Sequence, residues 1–410
     1  MNKGPKYTKI YYGKFFLFSL MILFYLIHVE AQVDEYWNMG LGERAEALGF
    51  GYEEHQVTTE DGYILTLMRV LPGSQSAQLE VNQPILLSPP FMQSSESFDP
   101  LGSEDSPAFY LANEGKDVWL FNIRGSSFSR EHVSLDPSTD DEYWDFYLDT
   151  IRYDYMACIQ FILDTTGFST MPVFAMSFGG ATFSISLALE PEFFSPRISV
   201  AVLAAPALNL GHTNTFMDAI LGDYPFIFEA LRRAGINVFR EDSPVINDLL
   251  YTASQFLQPI TQVFGSLVMG EDDPFLYDID GLSFILARSD NGFGMRMMEH
   301  LFQSVQSADL TYFNYGPEAN LEIYGTETPP EIPLENINVP IALMFAGSDN
   351  TITERDQQWV REKMSDNVIF DHVYEGYSHM SFLYGVRRKD YLDDLIEITE
   401  VYPATIANES

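Results

Sequence analysis

Cysteine is nearly absent: Cys158 is the single one in 410 residues. No intramolecular disulfide can form, so the fold must be held by its core and not by cross-links. Cys158 lies in the apolar helical pattern Tyr155-Met156-Ala157-Cys158-Ile159, which favours a buried, inert thiol over a catalytic one. Positive charge is also scarce, with 22 Lys and Arg against 59 Asp and Glu and a net charge of −37. Such a surface repels nucleic acid and anionic membranes at neutral pH. Its self-repulsion eases as carboxylates protonate, so solubility in the surrounding medium and work in an acidic compartment both fit it. No cluster with metal-ligand spacing and no phosphate-cradling glycine loop occurs, so no metal and no cofactor is implied. Repeats and low-complexity tracts are lacking too, which excludes solenoids. The only glycosylation sequon is Asn408-Glu409-Ser410.

Long apolar runs are limited to one, residues 15–27, behind the basic Lys3, Lys6, Lys9 and Lys14 and ahead of Val29-Glu30-Ala31. That order is the pattern of a secretory signal peptide, expected over residues 1–31. The run is short for a membrane span, which takes about 20 residues, and an uncleaved anchor is the alternative. No second run of membrane length follows, so no stable membrane span is expected and the mature chain should be soluble, secreted or lysosomal.

What the chain does have is a large apolar fraction, 46%, with 14% aromatics, ample for a big core. Asp61-Gly62 is a hairpin signal between a strand at 57–59 and an alternating strand at 63–70. Short apolar strands are expected at 84–87, 117–121, 171–176, 198–203 and 341–345, with helices at 147–163 and 178–189. Short buried strands alternating with helices argue an α/β class, with a mainly parallel sheet flanked by helices. Between residues 207 and 330 the strand signals thin out, and helical segments appear at 216–233, 245–267 and 295–305. The expected organisation is a core in two parts, 32–206 and 331–410, interrupted by a largely helical cap at 207–330.

The stretch Val173-Phe174-Ala175-Met176-Ser177-Phe178-Gly179-Gly180-Ala181 reads as a strand, a tight turn and a helix, with Ser177 at the apex. Small residues on either side of such a serine let strand and helix pass closely and expose the hydroxyl. The usual pattern is G-x-S-x-G; here Ala175 replaces the first glycine. A serine needs a base, and the base needs an orienting carboxylate. His379, in Glu375-Gly376-Tyr377-Ser378-His379-Met380, sits in a late loop, whereas His55, His132, His212, His300 and His372 lack a motif that marks a base. Asp349 follows the strand at 341–345 and a Gly347-Ser348 turn. The chain order Ser177, Asp349, His379 is that of the α/β-hydrolase fold.

Further segments carry a resemblance. Gly51-Tyr52-Glu53-Glu54-His55 leads into Val57-Thr58-Thr59-Glu60-Asp61-Gly62-Tyr63-Ile64-Leu65. Asp117-Val118-Trp119-Leu120, Asn122, Arg124-Gly125, Ser129-Arg130 and His132 follow, then Tyr143-Trp144-Asp145-Phe146 and Tyr153-Asp154. His300, Gln303, Phe313, Tyr315-Gly316, Asn320, Tyr324 and Pro329-Pro330 come later, ahead of Gly347-Ser348-Asp349 and Tyr377-Ser378-His379 through Gly385. Over nearly the whole mature chain the sequence resembles the acid lipase family of α/β-hydrolases. The resemblance implies hydrolysis of neutral lipid esters, such as triacylglycerols or cholesteryl esters, under a mobile helical cap, at a lipid-droplet or micelle surface. It implies an acyl-enzyme on Ser177, with His379 as base and Asp349 holding the imidazole tautomer.

One loop departs from the family. Where the family reads His-Gly-Leu, this chain reads Pro89-Pro90-Phe91 after Ser88. An oxyanion hole needs two N–H donors, here those of Phe178 and Phe91, because neither proline has one to give. A family glycine at φ > 0 could not be copied by Pro90, so the loop would have to shift. A catalytically weak or inactive relative that binds or carries lipid is therefore the second reading. A peptidase or thioesterase on the same fold is the third.

Overall fold

The Asp61-Gly62 turn closes a hairpin whose first strand is longer than its apolar pattern suggests. Strand β1 (Gly51–Thr58) pairs antiparallel with β2 (Tyr63–Leu71) from Gly51↔Leu71 to Thr58↔Ile64. The polar start Glu53-Glu54-His55-Gln56 masks β1 because β1 lies at the sheet edge, where one face stays in water. The computed structural model describes residues 39–73, 82–99, 105–212, 228, 230, 231, 233, 234, 236–239, 292–307 and 309–407. Leu41–Ser410 form one unit; of the other, Met1–Gly40, only Met39 and Gly40 are described. The signal-peptide pattern and the helical segments expected at 216–233 and 245–267 therefore lie wholly or largely outside the described residues.

The remaining strands are β3 (Pro84–Ser88), β4 (Asp117–Leu120), β5 (Glu131–His132), β6 (Met171–Met176), β7 (Ile198–Ala204), β8 (Val238–Phe239), β9 (Phe293–Gly294), β10 (Ile341–Ala346) and β11 (Val368–Tyr374). The described helices are α1 (Leu41–Ala47), α2 (Pro107–Asn113), α3 (Arg152–Thr166), α4 (Phe178–Leu189), α5 (Pro191–Phe194), α6 (Met295–Ser307), α7 (Pro317–Tyr324), α8 (Glu354–Met364), α9 (Ser381–Tyr384) and α10 (Lys389–Val401). The main sheet runs β1-β2-β4-β3-β6-β7-β10-β11, with β5 paired to β2. The β1–β2, β2–β4 and β2–β5 pairs are antiparallel and all the others in it are parallel. β8 and β9 form a separate antiparallel pair.

Burial follows from this order. All residues of β3, β4, β6 and β10 are buried, as expected of central strands covered on both faces. Each fully buried Val, Leu, Phe or Met among them contributes about 1.5–3 kcal/mol relative to an exposed one. β11 is half exposed and carries Asp371 and His372, so it shows no apolar run. Helix α3 begins later than its periodicity suggests, after a 3-10 turn at Leu148–Ile151, and stops at Gly167. There φ is 75° and the Gly167 N–H donates to the Leu163 carbonyl, a left-handed stop that suits glycine. Cys158 is buried on α3, and desolvation pushes its thiol well above the ordinary range, so it stays protonated.

The strand order places one crevice. From β3 the chain goes to β4 on one side and returns through β6 on the other. Ligand crevices open beyond the carboxyl ends of strands at such a switch point. Here Ser88, the last residue of β3, lies opposite Ala175 of β6, so the two loops leave the sheet side by side.

A buried charge pins the hairpin beside it. The Arg124 guanidinium bonds to Asp154 through Nε at 2.7 Å and to Asp61 through Nη1 at 2.5 Å. It also lies 4.0 Å from the Tyr63 ring centroid. Burial opposes ionisation of Asp61, but bonds and charge from Arg124 outweigh it and hold the carboxyl below its usual range.

Candidate active site

Ser177 occupies the turn between β6 and α4 with φ 53° and ψ −114°. For a residue with a Cβ this is strained backbone, costing on the order of 1–3 kcal/mol. Three hydrogen bonds hold it: the Ser177 N–H donates to Ala204 O at 2.8 Å, and Ser177 O accepts from Ala181 and Ala207 at 2.9 and 3.0 Å. Gly179 and Gly180 permit the crossing. A Cβ at Gly179 would stand 2.6 Å from the Pro89 carbonyl oxygen, and one at Gly180 would stand 3.0 Å from Pro206.

Asp349 leaves the end of β10 on a turn tied to the neighbouring loop. Gly347 N–H donates to Tyr374 O at 3.0 Å and Ser348 N–H to Tyr377 O at 2.8 Å. One Asp349 carboxylate oxygen, Oδ1, accepts from the Thr351 and Ile352 N–H groups, each at 2.8 Å. The other, Oδ2, lies 2.8 Å from His379 Nδ1. On the far side of the ring, His379 Nε2 lies 2.8 Å from Ser177 Oγ. A carboxylate only accepts, so Nδ1 carries the proton and Nε2 is left to accept from the serine. Thus three side chains from distant sequence positions form one hydrogen-bonded line. Ser177 and His379 are each only 4% exposed, so little of either side chain meets bulk water.

The two expected oxyanion donors are neighbours. Phe178 opens α4, whose first-turn N–H groups have no intrahelical acceptor and sit at the positive end of the helix dipole. Phe91 follows Pro90, and the Phe91 and Phe178 rings are 5.7 Å apart. The Phe293 ring of β9 packs on both, at 4.6 and 5.2 Å. Pro90 does not adopt a positive φ; Met92 does, at 55°, in a turn closed by Gln93 N–H to Pro90 O at 3.2 Å. The positive φ of this loop thus falls at Met92 and not at a proline, which could not adopt it. The sequence carries no signal for it, since methionine is not a turn residue.

The other histidines are used elsewhere. His55 pairs with Glu53 at 3.0 Å, His132 with Asp61 O at 2.9 Å, and His212 with Asp356 at 2.9 Å. His372 packs on Tyr374. His300 is buried, accepting from Leu148 N–H at 3.2 Å and reaching Thr311 O at 2.8 Å. A cavity of about 300 Å³ lined by Asp141, Trp144, Asp145 and Arg296 among others contains none of the three aligned residues. Among the described residues no group of three or more His, Cys, Asp or Glu is arranged to hold a metal, and no helix is long and apolar enough to cross a membrane.

Comparison with known proteins adds to this geometry. The family model described as alpha/beta hydrolase fold matches residues 83–386, well over half of the chain. The chain belongs to the α/β-hydrolase fold family. A second model, partial alpha/beta-hydrolase lipase region, matches residues 41–99. Lipase member K of Homo sapiens is 27% identical over 387 residues, covering 89% of this α/β-hydrolase and 92% of the relative. Gastric triacylglycerol lipase of Rattus norvegicus is 27% identical over 355 residues, covering 85% and 88%. The crystal structure of a proposed lipase from Sulfolobus solfataricus superposes with a TM-score of 0.58 at 16% identity, covering 87% of this chain and 95% of that one, a likeness of fold alone. With gastric and acid-type lipases as its relatives, this α/β-hydrolase is a carboxylic ester hydrolase.

Proposed function

We propose that this hydrolase cleaves carboxylic esters of neutral lipids, triacylglycerols or cholesteryl esters, with Ser177 as nucleophile, His379 as base and Asp349 as its orienting carboxylate. The observation that carries the reading is the line Ser177 Oγ, His379, Asp349, with both gaps at 2.8 Å and the serine on a strained turn. His379 Nε2 takes the serine proton as Oγ attacks the ester carbonyl. The oxyanion so formed accepts from the Phe91 and Phe178 N–H groups. Collapse expels the alcohol, which takes the proton back from Nε2. A water, deprotonated by His379, then releases the fatty acid from the acyl-enzyme. The lipid class rests on the relatives, which are named as lipases. The cap at 207–330, action at a lipid-droplet or micelle surface, and export through residues 1–31 to a secreted or lysosomal destination belong to the same proposal.

A specific feature favours the second reading, a weak or inactive relative that binds lipid: Pro89 and Pro90 remove two N–H groups from the oxyanion loop. Loss of one oxyanion donor costs about 10²–10³ in rate. The N–H that Phe91 keeps, on a residue whose ring lies 5.7 Å from that of Phe178, argues for activity. Assays with emulsified long-chain triacylglycerol and with a short soluble ester decide. Hydrolysis of both, faster above the emulsion threshold, supports the lipase. Binding of the emulsion with no hydrolysis of either ester supports the carrier.

A further inference from the structure

The two oxyanion donors come from different elements, and one buried hydroxyl touches both elements. Tyr155 OH of α3 lies 2.7 Å from Ser88 Oγ, 3.2 Å from Gly179 O and 3.2 Å from Thr182 Oγ1. Ser88 ends β3, three residues before Phe91. Gly179 directly follows Phe178. Tyr155 is 0% exposed, and Ser88 and Thr182 are each 1% exposed, so no bulk water competes for these bonds. The ring is fixed by stacking on Phe121 at 4.5 Å and by Phe183 at 5.0 Å. One proton order satisfies every group. Ser88 donates to Tyr155, Tyr155 donates to Gly179 O, and Thr182 donates to Phe178 O at 3.0 Å.

The surroundings make that tie consequential. The Pro89 carbonyl and Ser88 crowd Gly179, and a void of only about 10 Å³ is left beside Ser88, Pro90, Phe178 and Thr182. Pro89 and Pro90 cannot anchor the loop through N–H groups. The backbone contact at Gly179 then limits how close the loop comes to the helix, and the Ser88–Tyr155 bond ties it at that distance.

We infer that Tyr155 is a positioning residue, its hydroxyl holding the Phe91 loop and the Phe178 helix start at the separation an oxyanion requires. This inference rests on the proposed reading of Phe91 and Phe178 as the donors. It concerns a group that never touches substrate, acting through Ser88 and Gly179. Deleting the hydroxyl leaves Ser88 without its partner and frees the loop to shift by a few tenths of an ångström, which is enough to weaken bonds that exist only in the transition state.

The test uses Tyr155→Phe in the full chain, which keeps the ring and its stacking. Turnover on a soluble short ester should fall about 10- to 100-fold with KM within about 3-fold, the signature of a transition-state contact. Affinity for an alkylboronic acid, which forms a tetrahedral adduct on Ser177, should weaken in parallel. Affinity for an unreactive ether analogue should not change. Ser88→Ala should reproduce the loss, and the double variant should be no worse than either single one. Unchanged turnover and boronate affinity in Tyr155→Phe, or equal loss of ether and boronate binding, would overturn the inference while leaving the hydrolase reading intact. An unreactive Ser177 in the parent protein would instead sink the reading itself and this inference with it.

Discussion

Gly179 and Pro89 meet so closely that a single methyl on the glycine would stand only 2.6 Å from the Pro89 carbonyl oxygen. The contact joins the helix that follows Ser177 to the loop that carries Phe91. Neither side can give easily, because the obstacle is backbone and the next atoms met are those of Ser88. Gly179→Ala should therefore push the loop outward and cost about 10²-fold or more in turnover, the scale of a lost oxyanion donor. Steady-state kinetics on a soluble ester check this, and activity near the parent level would show that the loop tolerates displacement.

Asp349 meets the ring of His379, to which it presents Oδ2 at 2.8 Å while its other oxygen is held by two backbone N–H groups. Asp349→Asn keeps the shape and brings an amide donor to that contact, favouring the wrong imidazole tautomer. Turnover should drop about 10⁴-fold with little change in KM. A drop of less than about 10-fold would mean that another group orients His379.

Two of the three aligned residues carry a local mark in the sequence, and His379 follows from chain order. Ser177 sits between small residues at a strand-to-helix junction, and Asp349 follows a strand and a Gly-Ser turn. The central strands were legible as apolar runs. The edge strands β1 and β11 were not, because half their residues face water and polar side chains break the pattern. Tyr155 was readable only as one apolar position on a helix. That its hydroxyl meets Ser88, 67 positions away, depends on the sheet order and has no local trace. The same holds for Met92, whose positive φ is not a preference of its residue type.

Arg124 is the only positive group bonded to the fully buried Asp154 in the described network, and it also holds Asp61 of the first turn. Arg124→Met would leave Asp154 buried and unpaired, which costs about 3–5 kcal/mol. Urea unfolding of the two proteins measures it. A loss below about 1 kcal/mol would mean that water reaches the carboxylate, as it does at surface pairs.

His300 gives stability a pH dependence. Burial holds its imidazole below the ordinary histidine value, outweighing the bond to Thr311 O and the charge of Asp149. The unfolded chain takes up a proton from about pH 6.5 downward, whereas the folded chain does so only at lower pH. Its contribution is therefore complete above about pH 6.5 and is lost as the pH falls toward the folded value. Acidification also relieves the repulsion of a −37 surface, so the difference between two proteins is the useful quantity. Melting temperatures of the parent and His300→Gln, followed from pH 7.5 to 5, should converge as the pH drops. A constant gap would mean that His300 does not titrate differently on folding.

The most direct measurement is labelling of the purified protein with a fluorophosphonate, which forms a covalent bond only with an activated serine. One modified site is expected, mapped to Ser177, with no labelling of Ser177→Ala and strongly slowed labelling of His379→Ala. A folded protein that stays unmodified from pH 4 to pH 8, or that is modified at another serine, would contradict it.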